Sequence, residues 1–429
     1  MSVLNRNILW ALCERIGRIL IAFATGIIVA RLLAPGLYGI FSFANALVGV
    51  FSFLNITAIE SIVVWTLVQE PAAKEEILGS AFVLRLLGGL TTILIVTAIA
   101  ACLEGQSPRV AIIAPILAVA TLFNAIEVGD YWLRQILASK YGVIPRQTAL
   151  IIGACGRIWA AGADSPLLSL AFIVVLEALL VAIGLAFALH RVHAAPWHWR
   201  VARTRCRQLF INALPLLLAA AAVGLYARVG ILILGQWQGG YAVGLLSVAI
   251  TMAEATQALP VAIMNSVTPL LLAHRLHSEE DFRYHFVLWL RRLVWLGIAV
   301  CLMLFFGASI IMSLLFGSRY DESIPIFKIL IWSAFFVFLS VASEAWIVGN
   351  NLQRYQLPKT ILAAIVSILL NISLTPTLGA KGTAIATLIS YSISAFWANI
   401  LFRDTRPLFQ LQLMAFSPFT LLLSRRKNS

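Results

Sequence analysis

Charged residues are scarce in this sequence. They make up 11% of the 429 residues, whereas soluble domains carry about 25%. Hydrophobic residues account for 61%, which is far more than a surface facing water would carry. The composition therefore excludes a soluble globular protein and predicts a chain whose solvent is the lipid bilayer.

Sequence motifs of enzymes are also missing. The chain has no phosphate-binding GxxxxGK[ST] loop, no HExxH and no GxSxG. Its five cysteines are scattered without CxxC spacing, and its six histidines lie in or beside loops predicted to face the cytoplasm. No predicted loop is large enough to hold the active site of a glycan polymerase or ligase. We therefore expect no enzyme, no catalytic residue, no metal ion and no cofactor.

Long apolar segments are what the sequence does contain. Each reaches the ~20 residues that a helix needs to cross the hydrocarbon core. They predict an all-α polytopic membrane protein with about twelve transmembrane helices. The predicted spans are 7–33, 39–67, 77–103, 109–134, 142–162, 166–190, 209–234, 241–271, 286–316, 323–349, 356–375 and 381–402.

The loop charges predict the orientation of these spans. With the N-terminus inside, almost every arginine and lysine of the loops lies on one side, and only Arg109, Arg319 and Lys381 lie on the other. Cytoplasmic loops of membrane proteins collect basic residues in this way. The asymmetry thus predicts a multi-pass membrane protein with both termini in the cytoplasm. It also accounts for the net charge of +13, which gives no reason to expect nucleic acid.

The longest predicted cytoplasmic loop divides the chain near its middle. It is basic, and we interpret it as a topology anchor on anionic lipid, with a partner-binding role as the alternative. The predicted parts are an N-terminal six-helix bundle (1–190), the basic linker (191–208), a C-terminal six-helix bundle (209–402) and a cytoplasmic tail (403–429). The apolar stretch of the tail is too short to span, and we expect it to lie at the membrane interface.

A helix break near the start of each half suggests internal duplication. Ile21–Ser42 reads IAFATGIIVARLLAPGLYGIFS, in which Ala34-Pro35-Gly36 interrupts an apolar helix. Leu225–Ser247 (LYARVGILILGQWQGGYAVGLLS) repeats the spacing of tyrosine and glycine. We predict a hairpin of two helices at each place.

Ionisable residues inside the spans are the candidate functional residues, because each Arg, Lys or Asp near the bilayer centre costs roughly 2.5–3.5 kcal/mol. Arg228 has no acid within one helical turn, and Glu254 lies beside Gln257 just before a helix-breaking Pro260. The candidate residues for binding substrate are Arg18, Arg85, Arg228, Glu254 and Gln257, and the secondary candidates are Arg31 and Glu177.

Structural roles are the alternatives for several of these charges. Arg18 is four residues from Glu14 and can pair with it on one helix. Arg85 can pair with an acid on another helix, and Arg31 can extend to the outer headgroups. Arg157 can pair with Asp164 or extend outward. Taken together, the buried cations predict a central cationic cavity that suits an anionic headgroup, since arginine offers forked hydrogen bonds to phosphate oxygens.

Three segments resemble one transporter family. ARLLAPGLYGIFSFANALVGV (Ala30–Val50), ALPLLLAAAAVGLYARVGILILG (Ala213–Gly235) and LLNISLTPTLGAKGTAIATLIS (Leu369–Ser390) are similar to Wzx-like polysaccharide and O-antigen flippases. These belong to the multidrug/oligosaccharidyl-lipid/polysaccharide (MOP) exporter superfamily. The chain departs from the family at Gly230, where an Asp is frequent, so an ion-coupling role of that Asp cannot be transferred. Ala34 and Thr383 replace residues that are often Gly and Ala.

The resemblance implies the function. It implies two six-helix bundles around a V-shaped cavity, lined by the first, second, seventh and eighth spans. The implied substrate is an undecaprenyl-diphosphate-linked oligosaccharide, flipped across the bacterial inner membrane for O-antigen, lipopolysaccharide or exopolysaccharide synthesis. Expected partners are this glycan, the lipid bilayer and a surface-polysaccharide polymerase or glycosyltransferases, while proton or sodium coupling stays open. The alternative is a cation-coupled multidrug exporter of the same superfamily, which Glu177 and Glu254 keep open.

Overall fold

The described part of the chain is almost entirely helical. The computed structural model describes residues 3–55, 59–103, 105 and 107–417, with side chains at Trp10, Glu14 and Arg15 and from Gly17 onward. These ranges contain no strand. Their α-helices are α1 Val3–Phe51, α2 Glu60–Gln69, α3 Lys74–Cys102, α4 Pro108–Phe123, α5 Val128–Gln135, α6 Ser139–Ala161, α7 Pro166–Arg191, α8 Arg203–Ala255, α9 Ala258–His277, α10 Glu279–Phe316, α11 Ser323–Gly349, α12 Gln356–Ala395 and α13 Arg406–Phe416.

Eight continuous helical stretches in the described residues are long and apolar enough to cross a membrane. Three of them run for 53, 75 and 48 residues. At ~1.5 Å per residue each is more than twice as long as the hydrocarbon core is thick, so each has the length for two crossings. Helix α6 is not among the eight because Arg146 and Arg157 make it more polar, but its 23 residues also suffice to span. The protein is therefore an all-α multi-pass membrane protein.

Sharp bends divide the longest helices. Helix α1 bends at Ala34 (φ 62°, ψ 163°), α8 at Gly239 (φ 74°) and α12 at Gly379 (φ 57°). The predicted break at Ala34-Pro35-Gly36 is present, but only Ala34 departs from helical backbone angles. Pro35 can start the second limb of α1 directly, because the first position of a helix needs no backbone donor.

The first two bends pack against each other within one unit of the chain. A Cβ atom on Gly39 would lie 1.7 Å from the carbonyl oxygen of Gly240, and one on Gly244 would lie 1.9 Å from that of Pro35. No side chain fits between backbones at this distance. The glycine pattern shared by the two segments therefore reflects direct backbone contact.

Three predicted spans are interrupted in the structure. Helix α1 ends at Phe51 and a 3₁₀ turn follows, α4 continues through a 3₁₀ turn into α5, and α8 gives way to α9 after Ala255. At the first break, Asn55 donates a hydrogen bond to the carbonyl oxygen of Thr121 (3.2 Å), and Gly88 packs on the backbone of Leu54. This first interruption is accompanied by contacts with α3 and α4, which periodicity along one segment does not reveal.

The chain divides into two compact units. The N-terminal unit comprises Met1–Arg228 with Gly239–Gly244, and the C-terminal unit comprises Val229–Gln238 with Leu245–Ser429. The segment before α8 packs on α3 in the N-terminal unit, where the Arg200 amide donates to the Glu75 carbonyl oxygen at 3.1 Å. Helix α13 packs on α10 and α11 in the C-terminal unit, and Gln412 donates to Ser343 Oγ at 2.9 Å.

Candidate functional site

The N-terminal unit contains a network of arginines and carboxylates inside its helical bundle. Its centre is Asp130 on α5, whose side chain is only 2% exposed. Asp130 accepts a hydrogen bond from Arg134 Nε at 2.6 Å and lies 2.9 Å from the guanidinium of Arg146 on α6. Arg134 is one helical turn after Asp130 and also pairs with Glu60 on α2 at 2.6 Å. Buried charges are stable only when they are paired in this way.

Arg85 is bound to a carboxylate on another helical segment. Its side chain is 1% exposed, and its guanidinium donates to Glu127 at 3.1 Å and to the hydroxyl of Tyr131 at 3.2 Å. This pairing is the structural alternative that the sequence left open for Arg85. The residue thus ties α3 to the turn between α4 and α5.

A polar cavity of about 260 Å³ adjoins this network. Two of the predicted site residues, Arg18 and Glu177, line it together with Glu127, the carboxylate partner of Arg85. The structure therefore brings three predicted candidates, Arg18, Arg85 and Glu177, to one region of the N-terminal unit. The other polar residues that line the cavity are Glu14, Asn124, Arg146, Gln147 and Arg157.

Two ion pairs at this cavity differ from those that sequence spacing suggests. Glu14 pairs with Arg146 at 3.5 Å and not with Arg18 on its own helix. Arg157 pairs with Glu177 on α7 and not with Asp164. In both cases the partner lies on a neighbouring helix of the bundle, so the packing of the helices and not the spacing along the chain sets the pairing.

Two candidate arginines of the N-terminal unit carry no such partner. Among the described residues, no carboxylate lies within 4 Å of the guanidinium of Arg18 or of Arg228. Arg18 is exposed. Arg228 is half-buried on α8, and its Nε lies 3.8 Å from the position of a Cβ atom on Gly49. The secondary candidate Arg31 is exposed, three residues before the bend of α1.

The remaining candidates, Glu254 and Gln257, belong to the C-terminal unit. They lie where α8 ends and α9 begins, and the amide of Gln257 donates to the Glu254 carbonyl oxygen at 3.0 Å. Glu254 is exposed and Gln257 is half-buried. The structure thus places the two residues at a break in the helix, shortly before Pro260.

The position where the sequence departs from its family pattern is tightly packed. A Cβ atom on Gly230 would lie 2.7 Å from Thr383 Cγ2 and 3.1 Å from Asn371 Oδ1. Asn371 and Thr383 are buried on α12, and Thr383 shares a hydrogen bond with Thr375 at 3.1 Å. Any side chain at position 230 would therefore require Thr383 to move, and an aspartate does not fit this packing unchanged.

Comparison with known proteins supplies the context for this geometry. The family model described as "Polysaccharide biosynthesis protein" matches residues 28–325. No curated protein sequence matches the chain.

Solved structures of transporters share the fold. The lipid II flippase MurJ in an inward closed conformation superposes with a TM-score of 0.72 at 12% identity, covering 98% of this chain and 93% of MurJ. An inward-facing multidrug resistance MATE transporter of the MOP superfamily superposes with a TM-score of 0.63 at 15% identity, covering 91% of this chain and 96% of the transporter. A MOP superfamily transporter from Pyrococcus furiosus superposes with a TM-score of 0.51 at 14% identity, covering 93% of this chain and 94% of that transporter. At these identities the likeness is one of fold.

Proposed function

Since the chain belongs to the polysaccharide biosynthesis protein family, we propose that it is a flippase for an undecaprenyl-diphosphate-linked oligosaccharide. It carries the glycan from the cytoplasmic to the outer leaflet of the bacterial inner membrane by alternating access. The product supplies synthesis of O-antigen or exopolysaccharide. Both termini then lie in the cytoplasm.

The observation that carries this proposal is the division of the arginines into two groups. Arg85, Arg134, Arg146 and Arg157 each have a carboxylate partner. Arg18 and Arg228 have none among the described residues, although burial of an arginine in a membrane costs roughly 2.5–3.5 kcal/mol. A diphosphate headgroup offsets this cost, because its oxygens accept the forked hydrogen bonds of a guanidinium group.

The roles of the candidates follow from their surroundings. We assign Arg18 and Arg228 to the diphosphate, because their charges are not neutralised by an acid. Glu254 and Gln257 contact the sugars, which need hydrogen-bond donors and acceptors. Arg85 is fully buried and occupied by Glu127, so we assign it to holding the bundle and not to the substrate.

The proposal is tested by measuring the amount of surface glycan in a strain that lacks the native gene and expresses a variant of the protein. Arg228→Ala and Arg18→Ala should reduce surface glycan at least about tenfold, since one lost charged hydrogen bond is worth roughly 1.5–3 kcal/mol. Arg228→Lys should restore only part of it, because lysine keeps the charge but loses the fork. Arg109→Ala is the matched control, since Arg109 is exposed and lines a different cavity. Wild-type glycan from both Arg228 variants at matched expression would refute the assignment.

A cation-coupled multidrug exporter is the second candidate, because the fold is shared with MATE transporters. It requires an intramembrane carboxylate that is free to bind a cation, and Glu177 is occupied by Arg157. Deletion would distinguish the two functions. Sensitivity to cationic drugs with intact surface glycan favours the exporter, whereas loss of glycan with unchanged drug sensitivity favours the flippase.

A further inference from the structure

Two histidines and an aspartate meet where α9 turns into α10. His274 Nδ1 lies 2.5 Å from one carboxylate oxygen of Asp281, and His285 Nδ1 lies 3.1 Å from the other. The two imidazole rings stack with centroids 3.9 Å apart and planes 10° from parallel. One ligand atom from each residue can be chosen such that all three lie within 4.8 Å of one another. Three side chains of types that can ligate a metal ion thus lie close together.

The local sequence explains this convergence. Ser278 is the only residue between the two helices, and its extended backbone (φ −159°, ψ 154°) reverses the chain. Its hydroxyl accepts a hydrogen bond from the amide of Asp281 at 3.0 Å, which caps α10. Asp281 and His285 are four residues apart and share a face of α10. His274 comes from the last turn of α9, so the ligands belong to two helices.

We propose that this His274–Asp281–His285 cluster binds a divalent transition-metal ion such as Zn²⁺. Imidazole nitrogen and carboxylate oxygen are ligands that Zn²⁺ accepts at about 2.0–2.2 Å. Three protein ligands leave a fourth position for water or another ligand. Mg²⁺ is disfavoured, because it prefers oxygen ligands in an octahedral arrangement. The three side chains are 31–39% exposed, so an ion reaches them from solvent.

The surrounding charges are compatible with a cation. Arg275 is the nearest basic residue in sequence, and it is paired with Glu279 at 3.3 Å. The edge of Tyr284 packs against the His285 ring at 5.3 Å. A bound ion would tie the ends of α9 and α10 together. This metal site depends on the C-terminal unit alone and stands apart from the proposed substrate.

Calorimetric titration of the purified full-length protein in detergent tests the site. The protein is freed of affinity tags and stripped with EDTA, and ZnCl₂ or MgCl₂ is added. We expect saturable binding of about one Zn²⁺ per chain and no comparable binding of Mg²⁺. Asp281→Asn and the double variant His274→Ala/His285→Ala should weaken Zn²⁺ binding at least about tenfold, the loss that even outer-shell partners of metal ligands produce.

His277→Ala is the matched control, because His277 is exposed at the end of the same helix and lies outside the cluster. It should bind Zn²⁺ as the wild type does. The visible absorption of bound Co²⁺ provides a second measurement, since it should appear in the wild type and in His277→Ala and vanish in Asp281→Asn. Absence of saturable Zn²⁺ binding to the wild type, or equal loss in His277→Ala, overturns the proposal.

Discussion

At the scale of single residues, the backbone of Ala34 is unusual. Its φ of 62° and ψ of 163° lie in a region that is populated almost only by glycine and costs of order 1–3 kcal/mol for other residues. Pro35 follows directly and disfavours helical angles at Ala34. The backbone strain of the bend in α1 is therefore concentrated at one residue, Ala34.

Glycine at this position should relieve the strain. We expect Ala34→Gly to increase the free energy of unfolding by about 1 kcal/mol, measured as a higher melting temperature in detergent. Ala46→Gly is the control, because Ala46 is buried in a regular part of the same helix and glycine there should cost about 1 kcal/mol. A lower melting temperature for Ala34→Gly would contradict the strained geometry.

Asp130 is the second residue with an individual prediction. It neutralises two arginines while almost fully buried, so Asp130→Asn should destabilise the protein by about 3 kcal/mol. Glu60→Gln is the matched control, because Glu60 pairs with the same Arg134 at the same 2.6 Å but is 46% exposed. An exposed pair contributes about 1 kcal/mol or less. If both variants lowered the melting temperature equally, burial would not be what makes the Asp130 ion pairs more important for stability than the Glu60 pair.

At the scale of secondary-structure elements, α8 and α12 meet through small residues. Gly230 leaves just enough room for Thr383 and Asn371, whose polar groups are bonded within α12. The sequence marks Gly230 only as a departure from a family pattern. The structure gives a physical reason for glycine at this position, because the Thr383 methyl group occupies the space that a side chain at position 230 would need.

A double-mutant cycle measures this contact. Gly230→Ala should cost about 1–3 kcal/mol of stability through overpacking. Thr383→Ser removes the methyl group that lies 2.7 Å from the new Cβ and keeps the hydroxyl that bonds to Thr375. We expect Gly230→Ala/Thr383→Ser to recover at least half of the loss. Strict additivity of the two melting-temperature changes would argue against direct contact.

At the scale of the whole molecule, loop charges and helix lengths predict a topology. Eight described stretches suffice to cross a membrane, and three are long enough to cross twice. The proposed orientation puts the segment before α8 in the cytoplasm and the turn before α7 outside, because basic residues remain on the cytoplasmic side.

Cysteine labelling tests this orientation. In a variant with all five native cysteines replaced by serine, Ser165→Cys should react with a membrane-impermeant maleimide added to intact cells. His198→Cys should react only after the membrane is permeabilised. Both positions are exposed in the structure, so accessibility from one side decides the result. If His198→Cys and not Ser165→Cys reacted in intact cells, the protein would have the opposite orientation to the one proposed.

The sequence by itself determined the membrane environment, the helical class, the bend before Pro35 and the resemblance to a flippase family. These properties follow from composition, run length and the chemistry of proline, all of which act locally. It also identified the intramembrane charges as the residues of interest. The four-residue spacing of Asp281 and His285 is compatible with the proposed metal site, but it does not reveal His274, which lies on another helix.

Only the tertiary structure decided which charges are paired. Arg85 pairs with Glu127, which is 42 residues away in the sequence, and Arg157 on α6 pairs with Glu177 on α7. Such pairing depends on how each helix is rotated and how deep each side chain lies, and neither quantity is contained in the spacing of one segment. The same packing left Arg18 and Arg228 without an acidic partner in the described residues, and this difference is what singles them out as the proposed ligands of an anionic substrate.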